Sequence, residues 1–247
     1  STIPDDTWGP IFSKWNHYAA CCVCPNGDVL AAWYTTRSES GRELAQAAAR
    51  LPAGSDTWQP ASLFFDVPDV NDHAPVLLSD GKRVHHFASQ SLRGWDDTSV
   101  VMRTSDDSGA NWSKPRIIFR REEGHDLSQS CSAFVAGDGT IVLAIDGSGH
   151  RRESLCFSRD GGATWQIAPG DMRQALGDKY AIHPAVAPTR DNGVVAFLRG
   201  PDPMPRLASS DLGKTGDVSA TPSAGSNLGQ QATAALVQRQ GFFTTTA

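Results

Sequence analysis

The stretch Ser158-Arg159-Asp160-Gly161-Gly162-Ala163-Thr164-Trp165 constrains the fold of this chain more than any other, because it is repeated. The same form, Ser-x-Asp-x-Gly-x-Thr-Trp, stands upstream as Ser105-Asp106-Asp107-Ser108-Gly109-Ala110-Asn111-Trp112. It returns downstream as Ser209-Ser210-Asp211-Leu212-Gly213-Lys214-Thr215-Gly216, with the tryptophan lost. In such a turn the Asp bonds backbone N–H groups, Gly supplies positive φ, and Trp pins the exit to the next strand. Tryptophans before a polar-then-apolar segment recur at Trp8, Trp58, Trp112 and Trp165, with Gly216 in the fifth place, in steps of 50, 54, 53 and 51 residues. A second marker keeps step with them. Asn26-Gly27, Asp80-Gly81, Asp138-Gly139, Asn192-Gly193 and the degenerate Gln240-Gly241 each separate two apolar runs.

Each period reads as four short strands. The first unit places them at 18–24, 29–34, 43–50 and from 58; the second at 74–78, 83–88, 98–103 and 112–119. The third has 130–135, 140–145, 154–157 and 165–168; the fourth has 184–188, 194–198, 206–209 and a strand from 217. The alanine-rich 44–51 favours helix on propensity, but the repeat register makes it a strand. Four-stranded antiparallel units of about fifty residues define an all-β fold, a β-propeller forming one domain over 1–247, with about five repeats visible and the last incomplete. A strand at 6–12 would serve as the outer strand of the last blade in a five-bladed ring. The alternative is part of a larger propeller, favoured because an unpaired inner strand pair leaves an open edge, which would promote self-association.

A net charge of −5 argues against general nucleic-acid or anionic-membrane binding, so an anionic substrate needs local arginines. The sequence has neither an apolar run long enough to span a membrane nor a leader signature at its start. Its five cysteines, Cys21, Cys22, Cys24, Cys131 and Cys156, lack a zinc-type spacing and read as buried free thiols in strands. Neither a metal nor a cofactor is implied.

The register also says where a ligand would sit. Turns between strands one and two, and three and four, share one face of a propeller, so the aspartates of the repeated turn are structural. The opposite face carries the starts of first strands, reached by counting ten residues back from each marker glycine. There stand His17, Asn71, Gln129, His183 and Gln231, with Asp72 and His73 two residues further on in the second unit. Just past second strands come Arg37, Gln90, Asp146 and Arg199. Polar groups converging on one mouth make a binding site. Asp72 would orient His73 as a general base, and Arg199, across the hairpin from His183, would keep that imidazole neutral. His125 lies in a loop on the same face, Tyr180 precedes His183, and His86 reads as a core residue.

With these turns and blades in place, the chain resembles the sialidase-like superfamily of Asp-box (BNR-repeat) propellers, particularly its bacterial members. The resemblance rests on the three turns, on 25–34, 71–75 and 182–183, and on the Phe197-Leu198-Arg199-Gly200 segment. It implies a ring usually of six blades, a secreted or periplasmic location, and glycoside hydrolysis of an acidic glycan. Such enzymes use three arginines on a carboxylate, a Tyr nucleophile with its Glu, and an Asp acid. Arg37, Arg199 and Arg206 are the arginines open to that role, and Tyr180 the tyrosine; the family's Arg-Ile-Pro segment is absent. More distantly the chain resembles ulvan-type polysaccharide lyases, in which a His or Tyr removes the proton α to a uronate carboxylate that an Arg neutralises. His73, His183, Tyr180 and Arg199 are the residue types for that elimination. A glycan-binding propeller without catalysis is the third reading. The expected site comprises His73, His183, Arg199 and Tyr180 as catalytic groups. His17, Arg37, Asp72, His125, Gln129, Arg206 and Gln231 are its substrate contacts.

Overall fold

The structure is a computed structural model that describes residues 15–38, 41–92, 98–120, 127–147, 154–169, 172–177, 181–200, 204–213, 219–222, 237–239 and 242–244. Contacts divide the chain into two compact units, 1–130 and 131–247. In the first, β1 (Trp15–Val23), β2 (Val29–Thr36), β3 (Ala45–Leu51) and β4 (Ser62–Phe65) form one antiparallel sheet in chain order. The second sheet repeats the order with β5 (Asn71–Ser79), β6 (Val84–Ser91), β7 (Thr98–Ser105) and β8 (Arg116–Phe119). Next come β9 (Leu127–Val135), β10 (Ile141–Gly147), β11 (Ser154–Ser158) and β12 (Gln166–Ile167). A single-turn helix, α1 (Met172–Ala175), precedes β13 (Ile182–Pro188), β14 (Val194–Arg199), β15 (Pro205–Ser209) and β16 (Ser219–Pro222). A two-stranded pair, β17 (Val237–Arg239) and β18 (Phe242–Thr244), follows. The repeat thus produces four four-stranded antiparallel sheets, as its period requires.

Tertiary pairing decides against helix at β3. Seven consecutive residues of β3 face β2, and Ala45, Ala47, Ala48 and Ala49 are all buried. Small side chains let neighbouring sheets approach, which outweighs alanine's few tenths of a kcal/mol of helix preference per residue. Fourth strands start later than their tryptophans suggested: Trp58 lies ahead of β4 and Trp112 ahead of β8. The tryptophan belongs to the turn, and Trp165 shows how, donating from Nε1 to the Gly162 carbonyl at 3.1 Å.

The three repeated turns share one bonding pattern. The Ser105, Ser158 and Ser209 hydroxyls each donate to the following Asp107, Asp160 or Asp211 at 2.7–2.8 Å. Each hydroxyl also accepts the N–H of Gly109, Gly162 or Gly213 at 2.7–2.8 Å. Two successive residues take positive φ, Ser108–Gly109, Gly161–Gly162 and Leu212–Gly213, which is why the second is always glycine. In the first unit both sequence markers meet: the Asn26 N–H bonds the Ser108 hydroxyl, and Arg50 bridges the Ser108 carbonyl and Asp28. This turn therefore fastens the second sheet to the first.

Asp160 is held down to about pKa 2, chiefly by the Thr164 hydroxyl and N–H and by Ser158. Because its folded pKa is depressed, its stabilisation is full above the ordinary carboxylate range and is lost as pH falls through about 2. Asp160→Ala is expected to lower the melting temperature at neutral pH and leave turnover unchanged. Loss of turnover in a variant that melts normally would remove the turn from the structural role.

Candidate active site

A bulge sets the residues at each strand-one start. Pairing jumps between His17 and Ala20, His73 and Val76, and Ile182 and Ala185. In each case the residue inside the bulge has positive φ: Tyr18, Ala74 and His183. The three are therefore structurally equivalent, which revises the count from the marker glycines: His17 matches His73 and Ile182, and His183 sits one place further on. The strain at His183 belongs to the repeat, and its consequence is local. A bulge re-aims the side chain it carries.

At the start of β13 the bulge brings His183 to Asp146 and Arg199. The imidazole Nε2 lies 3.5 Å from the Asp146 carboxylate at the end of β10, and Ile182 pairs directly with Arg199 across the hairpin. The side chains are 17% and 7% exposed for His183 and Asp146, so the imidazole edge still reaches solvent. Burial first, and the Arg199 guanidinium second, lower the His183 pKa to about 4. The imidazole is neutral at pH 7, the state that accepts a proton. A carboxylate at 3.5 Å would favour the imidazolium once it forms. Arg206 lies on β15 opposite Phe197, partly exposed.

At the start of β5 lies a buried polar layer. Asp72 and His73 are fully buried, and each has partners other than the other. His73 Nδ1 lies 2.8 Å from Asn71 Oδ1, while Asp72 accepts from Gln90 at 2.7 Å and from the Val67 N–H at 2.6 Å. His73 is oriented by an amide, not by its neighbouring carboxylate. Burial lowers the His73 pKa to about 4 and raises that of Asp72 to about 7. Below them Gln46 donates to the His73 carbonyl and accepts from His86 at 2.7 Å. Arg103 donates to His86 Nδ1 at 2.9 Å and to the Phe64 carbonyl, its guanidinium 4.3–4.8 Å from the Phe64, Phe65 and Trp112 ring centres. His86 is thus a core residue with both nitrogens satisfied.

The remaining candidates are spread out. His17 is exposed, its ring edge-on to Trp15 and tilted against Tyr34 with centres 5.7 and 5.9 Å apart. Arg37 is exposed just past β2, and Gln129 is buried in β9. Tyr180, His125 and Gln231 lie outside the described residues. Among the described residues no three His, Cys, Asp or Glu side chains converge as a metal site. Sequence spacing placed Asp146 with the strand-end polar groups but could not pair it with His183, since they stand on different sheets. Gln46 carried no signal at all: a glutamine inside an alanine run becomes visible only once its partners are.

Four-stranded antiparallel sheets repeated in chain order, each with its first-strand start at one end and three of them with a Ser-x-Asp turn after the third strand, make this an all-β repeat protein. The chain belongs to the BNR repeat-like domain family, whose model matches residues 27–243. Its fold is similar to that of a Hadza microbial sialidase, with TM-score 0.71 and 17% identity over 87% of this chain and 47% of that one. The Ruminococcus gnavus intramolecular trans-sialidase gives 0.72 and 14%, covering 86% of this chain and 71% of that one. Trypanosoma rangeli sialidase gives 0.70 and 15%, covering 94% and 43%. The chain thus spans less than half the length of two of these three. No curated protein matches it.

Proposed function

We propose that this chain is part of a carbohydrate-active enzyme that hydrolyses a glycosidic bond in an acidic glycan, with its base at the start of β13. The observation that carries the reading is the neutral His183 imidazole 3.5 Å from Asp146 and beside Arg199. His183 takes the proton of the water that attacks the anomeric carbon; the glycosidic C–O bond breaks and the departing oxygen takes a proton from solvent, while Asp146 steadies the imidazolium and Arg199 receives the carboxylate of the sugar. Tyr180, three residues ahead of His183, is the tyrosine open to the nucleophile's role if the reaction instead passes through a covalent glycosyl intermediate. The sialidase-like fold supports a glycan as substrate and leaves the bond broken to be measured.

The same pair also favours a second reaction. A neutral base beside a guanidinium suits removal of the proton α to a uronate carboxylate, whose developing charge Arg199 would share. Product spectroscopy on a panel of sialate- and uronate-bearing glycans separates the two. Hydrolysis yields new reducing ends alone, whereas elimination adds a conjugated double bond absorbing in the near ultraviolet. Binding with neither signal would make the chain a glycan-binding module.

The acidic limb of kcat/KM is expected near pH 4, where His183 takes its proton, and not near 6.5. Asp146→Asn, by removing the charge that favours imidazolium, moves that limb lower still. A limb unchanged by this substitution would detach Asp146 from the base.

A further inference from the structure

One hydroxyl holds the bulge that carries His183, and it comes from the neighbouring sheet. Pairing of β13 with β14 jumps from Ile182 to Ala185, so the ladder passes over His183 and Pro184. His183 takes φ 56° there, and Pro184 has no N–H to offer a partner. The Pro184 carbonyl is met instead by the Ser132 hydroxyl on β9, which donates to it at 2.9 Å. The same oxygen accepts the Val186 N–H at 2.9 Å. A hydroxyl has one hydrogen to donate, and this one goes to the carbonyl next to His183. β9 lies beside β10 in the sheet that carries Asp146. Ser132 therefore ties the strand of the base to the sheet of its carboxylate, across the same gap that the 3.5 Å approach of His183 to Asp146 spans. A similar tie stands at β5, where the Ser130 hydroxyl donates at 3.0 Å to the carbonyl of Ala74, the residue in that bulge. An alanine gives the tie nothing to aim, whereas at β13 it aims an imidazole.

We propose that Ser132 is a positioning residue for His183, its hydroxyl fixing the β13 bulge against the neighbouring sheet and so setting where the imidazole stands relative to Asp146 and the substrate. The proposal rests on the reading of His183 as the base. A left-handed backbone is unfavourable for a histidine and persists where its surroundings hold it. Without the hydroxyl, the Pro184 carbonyl and the Val186 N–H both lose their partner, and the backbone on which the ring is mounted is free to relax. Ser132 acts through His183, so its loss misplaces the proton acceptor and falls on kcat more than on KM.

Ser132→Ala is expected to lower kcat about 10–100-fold with KM changed less than about twofold. Ser132→Thr, which keeps a hydroxyl, should recover most of the rate. NMR of the histidine rings reads the same placement without substrate, the His183 signal being identified by its disappearance in His183→Asn. In Ser132→Ala the His183 titration should move up from about 4 towards the ordinary 6.5, because a ring released from its buried place between Asp146 and Arg199 meets water. In Ser132→Thr it should stay where the parent protein has it. An alanine variant that titrates like the parent, or that keeps its kcat while His183→Asn loses it, would overturn the assignment. A rate loss fully accounted for by a fall in melting temperature would overturn it too. Absence of turnover in the parent protein on every glycan would instead sink the proposed function, and the NMR titration would then decide the placement of His183 by Ser132 on its own.

Discussion

His183→Asn is expected to lower kcat by about 10²–10⁴-fold, the range for loss of a positioned proton acceptor. Asparagine is the informative replacement because His183 sits at φ 56°, a conformation that asparagine tolerates better than most residues. The backbone bulge then survives, and the loss reports the imidazole alone. His183 is partly exposed, so its removal opens no large cavity and the melting temperature should hold. Arg199→Ala should weaken both binding and turnover, since the guanidinium meets the substrate charge in ground state and transition state alike. Full activity in His183→Asn would end the assignment. So would a fall in melting temperature large enough to explain the lost rate.

The second large effect falls on stability. Arg103→Ala is expected to cost about 3–5 kcal/mol, from two buried acceptors left without their donor and from packing lost between three rings. That is a fall in melting temperature of about 10 °C for a chain of this size. Three aromatic rings lose the cation between them, and His86 Nδ1 and the Phe64 carbonyl lose their donor. Arg103→Lys should rescue little, because an ammonium lacks the planar fork that bonds His86 and Phe64 while lying against rings. A change within about 1 kcal/mol would mean that water or a shifted side chain replaces the guanidinium.

Acid should unfold the protein through the same layers. His73, His85, His86 and His183 all have lowered pKa values, with burial the first cause in each. The unfolded chain binds those protons near pH 6.5 and the folded one does not, so stability falls as pH drops from about 6.5 towards 4. Asp72 offsets part of this. Raised to about 7, it favours the fold most when protonated, and that contribution fades as pH rises through neutrality.

The blades were legible because their cause is local. A Ser hydroxyl that bridges an Asp and a Gly N–H four residues on is encoded within eight residues, and its recurrence fixes the period. The strand assignment of the alanine-rich β3 also followed from that period, against propensity. Closeness of His183 to Arg199 came from the same source, since antiparallel pairing brings the two ends of one hairpin together.

The sequence by itself therefore determined the repeat, the four-stranded sheets and the end of each hairpin where polar groups collect, because turns and strand pairs are short-range devices. Only the tertiary structure decided which of those groups are chemically available. Burial and contacts between sheets are long-range. They sank Asp72 and His73 into an amide-bonded layer, tied His86 to Gln46 and Arg103, and set Asp146 from another sheet beside His183. The repeated Asp that first draws the eye ties up its own turn, and His183 on its bulge keeps an imidazole edge in solvent.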